Sequence, residues 1–476
     1  MQLVAPLLVG SAGYNDQYER RQRVSFSATH EVAAPRELVW EWHTRPGALA
    51  RLTPPFLPMV PLRQAERLSD GTTVLGLPAG LRWTARHDLS RYQRGYTFSD
   101  VCINAPMKRL AKWRHTHDFA DATTPGHTII TDTVDSRVPV STLERIFAYR
   151  QRQLIEDFDF LGRIHSLNGA AHPLTIAMTG SRGAVGRALM AQLTTAGHSV
   201  IQLVRSTPKP GQRQWNPQSP APDLLDGVDA VVHLAGEPIF GRFNDAHKAE
   251  IRDSRVKPTE KLAQLVAASP SVRTFVSASA IGIYGPDRGS TVLDESSPLG
   301  DGFLADVVRE WEAATAPASA AGKRIVLVRT GASLSGSSGL LPLLRALFHT
   351  GLGGTFGSGD FWFSWIAHDD LTDIYTRAVL DESLTGPLNA VAPAPLLNKD
   401  MARSLAQELG RPAIMPIPTL GPALLLGREG ARELALADQR VVPSRLTELG
   451  HTFRYPTLDA ALAHELGGER LVGSAD

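Results

Sequence analysis

Three glycines, Gly180, Gly183 and Gly186, stand between a short apolar run and a helix-forming run, and their spacing dictates a specific chemistry. In Leu174-Thr-Ile-Ala-Met-Thr-Gly-Ser-Arg-Gly-Ala-Val-Gly-Arg187 a strand from Leu174 to Met178 ends in Gly-x-x-Gly-x-x-Gly, and a helix begins near Ala184. Glycines let the chain turn tightly and let a pyrophosphate approach the backbone, while the helix start turns its N–H groups and positive dipole end toward the anion. The pattern predicts a dinucleotide site made by Gly180, Ser181, Arg182, Gly183, Ala184, Val185 and Gly186.

The same region bears on which dinucleotide. Units that bind NAD carry an Asp or Glu roughly 20 residues past the glycines, where it bonds the ribose 2′-hydroxyl. Here the next strand ends in Val204-Arg205-Ser206, with no carboxylate in that place. Arg205 offers a planar cation to a 2′-phosphate, and Arg182 in the glycine turn offers a second. Two solvated loop arginines are the plainer alternative, but the ionic argument favours NADP over NAD. Further on, small residues after Val231-Val-His233 (Leu234, Ala235 and Gly236) would let an adenosine ribose lie against the backbone. His233 reads as a strand residue, not a catalyst.

The elements that must position these residues follow from periodicity. Near-continuous apolar strands at Ser199–Val204, Ala230–Leu234, Thr274–Ser277 and Arg324–Arg329 alternate with helical stretches, which predicts an α/β, Rossmann-type doubly wound parallel sheet. A chain of 476 residues exceeds one ordinary core, so several domains are expected. A turn-rich linker, Ser166–Pro173, separates a first domain over 22–165 from a nucleotide domain over 172–385, and the pattern loosens over 386–468, expected as a C-terminal extension contributing to a substrate lobe. A net charge of +1 gives no reason to invoke nucleic acid, and no segment reaches the roughly 18 apolar residues of a membrane span. The apolar Met1–Gly10 lacks a basic residue ahead of it and stops early, which argues against a signal peptide. The lone Cys102 excludes an internal disulfide framework, so a cytoplasmic location is expected.

The glycine turn, His233-Leu-Ala-Gly236, Ser277-Ala-Ser-Ala-Ile-Gly-Ile-Tyr-Gly285, Arg329-Thr-Gly331 and Trp365-Ile-Ala-His-Asp-Asp-Leu371 follow one another in order. Together they resemble an extended short-chain dehydrogenase/reductase. Ser254-Arg-Val-x-x-Thr259, Phe303-Leu-Ala followed by Trp311-Glu312, Gly351-Leu-Gly-Gly-x-x-Gly-Ser-Gly359, Arg440-Val-Val-Pro443 and Leu449-Gly-x-x-Phe-Arg-Tyr-Pro456 narrow the resemblance to the sugar-nucleotide epimerase-like branch of unknown substrate. That family implies a Ser or Thr after the fifth strand and a Tyr-x-x-x-Lys on the next helix, where tyrosinate exchanges a proton with a substrate hydroxyl. Ser279 stands in the serine place, but Phe303 and Val307 stand where the tyrosine and lysine belong. Tyr284 is the nearest other acid, with packing or substrate contact as its alternative role. The resemblance also places Arg255 near the cofactor or an acidic substrate, solvent exposure being the alternative. It puts Arg329-Thr-Gly331 and Phe361-Trp-Phe-Ser-Trp365 along the substrate side of the cleft. Asp369 and Asp370 are expected to cap a helix starting at Leu371.

The first domain opens with a strand from Arg23 to Glu31 and a helix over Ala34–Trp42, then a short helix near Arg45–Pro54. Five or six alternating strands and a long amphipathic helix from Ser141 to about Leu161 complete it. This order, with Ala34-Pro-x-x-x-Val-Trp40, resembles the START-like, polyketide-cyclase-type α+β helix-grip fold (the SRPBCC group), which implies a hydrophobic ligand. His115 and His117 share one strand face. A metal would need a further ligand that no spacing supplies, so none is expected and the histidines read as cavity-lining or surface residues.

The expected function is an NADP(H)-dependent oxidoreductase or epimerase-like protein acting on a small-molecule substrate. The alternative, motivated by Phe303 and Val307, is a non-catalytic NADP-binding sensor or scaffold coupled to the hydrophobic-ligand domain.

Overall fold

Along Thr128–Ser136 every second residue is buried, from Thr128 to Ser136, as alternating polarity demands of a strand with one face on a core. The computed structural model describes residues 24–168, 172–413, 416–418 and 420–473. The apolar Met1–Gly10, the strand start at Arg23 and residues 169–171 of the expected linker lie outside the described residues. Among the described residues the chain divides into two compact units: 24–44 with Pro58–Ile155 and 469–473, and Arg45–Leu57 with Glu156–Gly468. Among the described residues no helix is long and apolar enough to cross a membrane.

The first unit holds a seven-stranded antiparallel sheet, the opening strand plus six more, which is the upper count its sequence pattern predicts. Its strands are β1 (Val24–Val32), β2 (Val60–Arg63), β3 (Thr72–Gly76), β4 (Arg82–His87), β5 (Thr97–Cys102), β6 (Arg114–Asp121) and β7 (Thr128–Ser136). Their order in space is β1-β7-β6-β5-β4-β3-β2, so this sheet's first and last strands in sequence pair, from Val24 opposite Ser136 to Val32 opposite Thr128. Pro35 precedes a helix over Arg36–Thr44, and a long helix spans Val140–Asn168. Leu143 and Phe147 of that helix pack on Phe26, Ala28 and Val134, the Phe26 and Phe147 rings 5.3 Å apart.

The second unit is built on a parallel sheet of β8 (Thr175–Thr179), β9 (Ser199–Val204), β10 (Gln212–Gln214), β11 (Ala230–His233), β12 (Thr274–Ala280), β13 (Arg324–Thr330) and β14 (Gly386–Ala390). The spatial order is β10-β9-β8-β11-β12-β13-β14. Strand order therefore reverses between β8 and β11, the place where open parallel sheets leave a crevice at their carboxyl ends. Both faces are covered. Ile176, Met178, Val232, Val276 and Val326 enter one core, while Ala177, Val231, Phe275 and Ile325, each next door in sequence, enter the other. That division explains the unbroken apolar runs.

Three expectations need correction. Gly386–Ala390, where the pattern loosens, is the edge strand of this sheet, paired with β13 from Val326 opposite Gly386 to Thr330 opposite Ala390. Pro387 hides it from a strand reading, yet an edge strand tolerates the missing donor. Arg45–Leu57 groups with the second unit, not with the domain drawn over 22–165. Asp369 and Asp370 lie inside a helix that starts at His368, not ahead of one starting at Leu371. Asp369 receives Arg51 Nη1 at 2.6 Å, and Asp370 accepts the main-chain N–H of Arg454 at 2.6 Å and of Tyr455 at 3.1 Å. Burial, with Asp373 beside it, pushes the Asp370 carboxyl up to about 7. These acids tie distant segments together instead of capping their own helix.

Candidate nucleotide site and its neighbouring side-chain cluster

At the carboxyl end of β8 the chain enters the glycine turn with Gly180 at φ +67°, a left-handed conformation that favours glycine. A Cβ there would lie 2.7 Å from the carbonyl carbon of Leu234, and a Cβ on Gly186 would lie 2.3 Å from the carbonyl oxygen of Gly180. The turn and the loop after β11 are thus pressed together backbone to backbone. Helix Ala184–Thr195 follows, with Gly183 at its N-cap and no side-chain cap among the described residues. Its first N–H groups remain available to an anion. Ser181 is buried, with Oγ 3.4 Å from Gln202 Oε1, while Ala184 and Val185 are half-buried.

Thr179 and His233 fasten the two strand ends. Thr179 Oγ1 accepts the N–H of Leu234 at 3.1 Å and of Ala235 at 3.2 Å. Its single proton therefore goes to His233 Nδ1, 2.7 Å away. His233 is fully buried, and burial pushes its imidazole down to about 3. It is a strand residue, as its sequence context implies.

Arg255 does not face solvent. Its guanidinium donates to Glu237 O at 2.8 Å and Ile251 O at 3.0 Å, and its Cζ lies 3.0 Å from where a Gly236 Cβ would stand. Burial pushes it down to about 10. It holds the loop that carries Leu234, Ala235 and Gly236. Arg182 and Arg205 are exposed at the ends of the adjacent strands β8 and β9, and Arg182 Nη2 donates to Ser206 Oγ at 2.8 Å.

Two strands away, Ser279 near the end of β12 begins a chain of hydrogen-bonded side chains. Ser279 Oγ donates to Glu312 Oε1 at 2.6 Å, and Arg329 grips both Glu312 oxygens, through Nε and Nη2, at 2.8 Å each. Arg329 Nη1 donates to the Tyr284 hydroxyl at 3.1 Å, which donates to Asn389 Oδ1 at 2.8 Å. Register explains the meeting: Ser279 on β12 lies opposite Arg329 on β13, and Asn389 lies opposite Arg329 on β14. Tyr284 is fully buried, and burial raises its phenol although Arg329 and Asn389 work against the rise. Its hydroxyl is committed to protein partners.

Helix Phe303–Ala313 carries Glu312 at its far end. At its near end the main-chain N–H groups of Phe303 and Leu304 donate to Glu433, at 2.9 and 2.7 Å. The Phe303 ring meets Phe243 edge-on at 5.7 Å with Lys248 Nζ 4.6 Å above it, and Val307 is buried. Neither residue offers a proton. Within the expected aromatic wall, Trp365 is buried while Phe361, Trp362 and Phe363 are half-buried. Sequence reasoning singled out Glu312 only as part of a motif and assigned it no role. Its partners lie 33 and 17 positions away, so the pairing of β12 with β13 is what reveals it.

Residues 176–387 match the NAD dependent epimerase/dehydratase family, and residues 417–465 match a domain of unknown function, DUF1731. An epimerase family protein of Mycobacterium leprae is 38% identical over 299 residues, spanning 62% of this chain and 96% of that protein. A crystal structure described as a nucleoside-diphosphate sugar epimerase from Corynebacterium glutamicum is 57% identical with a TM-score of 0.84, covering 94% of this chain and 91% of that one. The human epimerase family protein SDR39U1, solved with NADPH, is 33% identical with a TM-score of 0.57, covering 62% and 99%.

Proposed function

This chain belongs to the NAD dependent epimerase/dehydratase family, and from that premise we propose an NADP(H)-dependent oxidoreductase or epimerase-like enzyme acting on a small molecule. Gly180, Gly183, Gly186 and the helix start after them fit a pyrophosphate, because side chains at Gly180 and Gly186 would collide with backbone. Arg205 and Arg182 fit a 2′-phosphate, and the human relative solved with NADPH supports that preference. Leu234, Ala235 and Gly236, held by Thr179 and Arg255, form the adenosine side.

The observation that carries the catalytic reading is the Ser279–Glu312–Arg329 chain in a site that lacks the Tyr and Lys pair. A bound nicotinamide supplies hydride exchange. Ser279 Oγ spends its proton on Glu312 and keeps lone pairs for a substrate hydroxyl. A proton leaving that hydroxyl passes to Ser279, whose own proton passes to Glu312 Oε1, while Arg329 fixes the carboxylate in line. Tyr284 serves as the buried anchor of Arg329, a positioning role.

The test is turnover of NADPH across a panel of carbonyl compounds and sugar nucleotides, with coenzyme affinity measured alongside. Glu312→Gln is expected to lower kcat by about 100-fold, the usual size of a proton-transfer contribution, while NADPH affinity holds. An unchanged kcat removes Glu312 from the chemistry.

A second reading, a non-catalytic NADP-binding sensor or scaffold, draws support from Phe303 and Val307. Tight NADPH binding without turnover over that panel would favour it. In either reading the first unit, with its seven-stranded sheet and long helix, fits a START-like domain for a hydrophobic ligand.

A further inference from the structure

The first unit contains a buried side-chain cluster that the nucleotide chemistry leaves unused. His115 and His117, two apart on β6, are both buried, and their ring centroids lie 3.9 Å apart. Asp132 on β7, the cross-strand partner of His117, places Oδ1 2.9 Å from His115 Nε2 and 2.8 Å from His117 Nδ1. One carboxylate oxygen accepting an N–H from each ring leaves the lone pairs on His115 Nδ1 and His117 Nε2. Asp100 on β5, directly opposite His115, brings Oδ2 to 3.6 Å from His115 Nδ1. One ligand atom from each of Asp100, His115 and His117 can be chosen so that all lie within 4.8 Å of one another.

Two imidazole nitrogens and a carboxylate, with a further carboxylate behind the rings, match the donors and the supporting shell of a divalent transition ion. Magnesium and calcium favour oxygen-rich sets and fit it poorly. The surroundings point the same way. Both ring nitrogens of His30 and Nε2 of His43 are buried without a hydrogen-bond partner among the described residues. The His43 ring lies 6.0 Å from that of His117, and His30 shares the buried face of β1 with Phe26 and Ala28. Such groups belong beside something polar that enters the unit.

We propose that Asp100, His115 and His117 bind a divalent first-row transition-metal ion of the zinc class, with Asp132 orienting both imidazoles. Three protein ligands leave a further position for water or for an oxygen of a molecule held inside the unit. The sequence conceals the set because only the two histidines are close in the chain. Strand pairing supplies the two carboxylates.

The test uses the full chain without a histidine tag, stripped with chelator. It is titrated with Zn²⁺ against a chromophoric competitor and, separately, with Co²⁺ followed by visible absorption. One Zn²⁺ per chain is expected, together with the intense absorption of Co²⁺ in a low-coordinate site, displaced by Zn²⁺. Asp132→Asn should weaken Zn²⁺ binding by about 10–100-fold, the usual effect of losing an outer-shell partner. Asp100→Asn and His117→Ala should weaken it further. Two results overturn the proposal: wild-type chain that leaves Co²⁺ with the pale spectrum of the hydrated ion, or unchanged Zn²⁺ affinity in Asp100→Asn. The first needs no variant. The second is read only on protein whose near-ultraviolet circular dichroism and thermal unfolding match wild type.

Discussion

The glycine turn after β8 and the Ser279 cluster at the end of β12 stand at the same end of one sheet, yet they are built in opposite ways. The turn is seven consecutive residues whose main chain does the work, and its limits are set by where a Cβ would land. The cluster takes side chains from β12, β13, β14, a helix and the short Ile281–Tyr284 turn, and its limits are set by charge. A local backbone site fails by collision. A dispersed side-chain site fails by leaving a buried ion alone. The contrast predicts which substitutions should hurt most, and how.

The largest effect is expected on the charge side. Arg329 and Glu312 keep only 6% and 12% of their side-chain surface in water, so Glu312→Ala leaves a largely buried guanidinium without its carboxylate. Loss of one partner of a buried pair costs about 3–5 kcal/mol, much of it the penalty on the partner left behind. Chemical denaturation measures it. The double variant Glu312→Ala with Arg329→Met should be less destabilised than the sum of the singles. Strict additivity would mean the two do not act as a unit.

On the backbone side, Gly186→Ala places a methyl 2.3 Å from Gly180 O. Overpacking of this kind costs about 3 kcal/mol at its upper end. Because the strain falls on the phosphate cradle, NADPH affinity should drop roughly 100-fold, the equivalent of about 3 kcal/mol. Gly183→Ala is the sharper control, since its nearest atom would be 3.2 Å away and a small adjustment accommodates it. Equal loss in both variants would contradict the collision argument.

What was legible in the sequence follows the same divide. The glycine turn, the strands β8, β9, β11, β12 and β13, and the helix at Ala184 are written in contiguous residues with a clear period, so reading them needs no partner. The edge strand β14 escaped because Gly386 and Pro387 open it and Asn389 interrupts its apolar run. Glu312, Asn389 and the pair Asp100 and Asp132 escaped for another reason. Each gains its role from a cross-strand or helix-to-strand neighbour, and nothing in the local spacing encodes that neighbour. Tyr284 shows how little proximity in the chain decides. It is five residues from Ser279 in the chain, but its hydroxyl is turned into Asn389 and Arg329.

A third variant tests how far the local site depends on side chains at all. Arg205→Asp should weaken NADPH by about 1–3 kcal/mol, the worth of a charge-assisted contact, and leave NADH nearly untouched. Calorimetry with both coenzymes separates the outcomes. Equal loss for the two would mean that Arg205 supports the turn itself and not a 2′-phosphate.

The smallest effect, read per pH unit, lies where the two kinds of site meet, at the Thr179–His233 bond that fastens the turn to the strand end beside it. Burial holds the His233 imidazole at about 3, against an ordinary value of roughly 6.5 in an unfolded chain. Below about pH 6.5 the unfolded chain binds a proton that the folded chain refuses, so the unfolded state carries more protons and stability is lost as the pH is lowered. The loss approaches about 1.4 kcal/mol per pH unit and continues until pH nears the folded value of about 3. His198 and His451, pushed down to about 4 and about 3 by burial, add slopes of the same sign. Asp370, held up at about 7, opposes them between about pH 4 and 7, because there the folded chain holds the extra proton. The wild-type curve alone therefore cannot isolate His233, but a difference can. In His233→Asn the amide oxygen takes over acceptance of the Thr179 proton and nothing titrates. Denaturation midpoints measured across that range should fall less steeply in the variant, by about 1 kcal/mol per pH unit. Parallel curves would show that the imidazole is not kept neutral, and that the fastening between turn and strand works by some other bond.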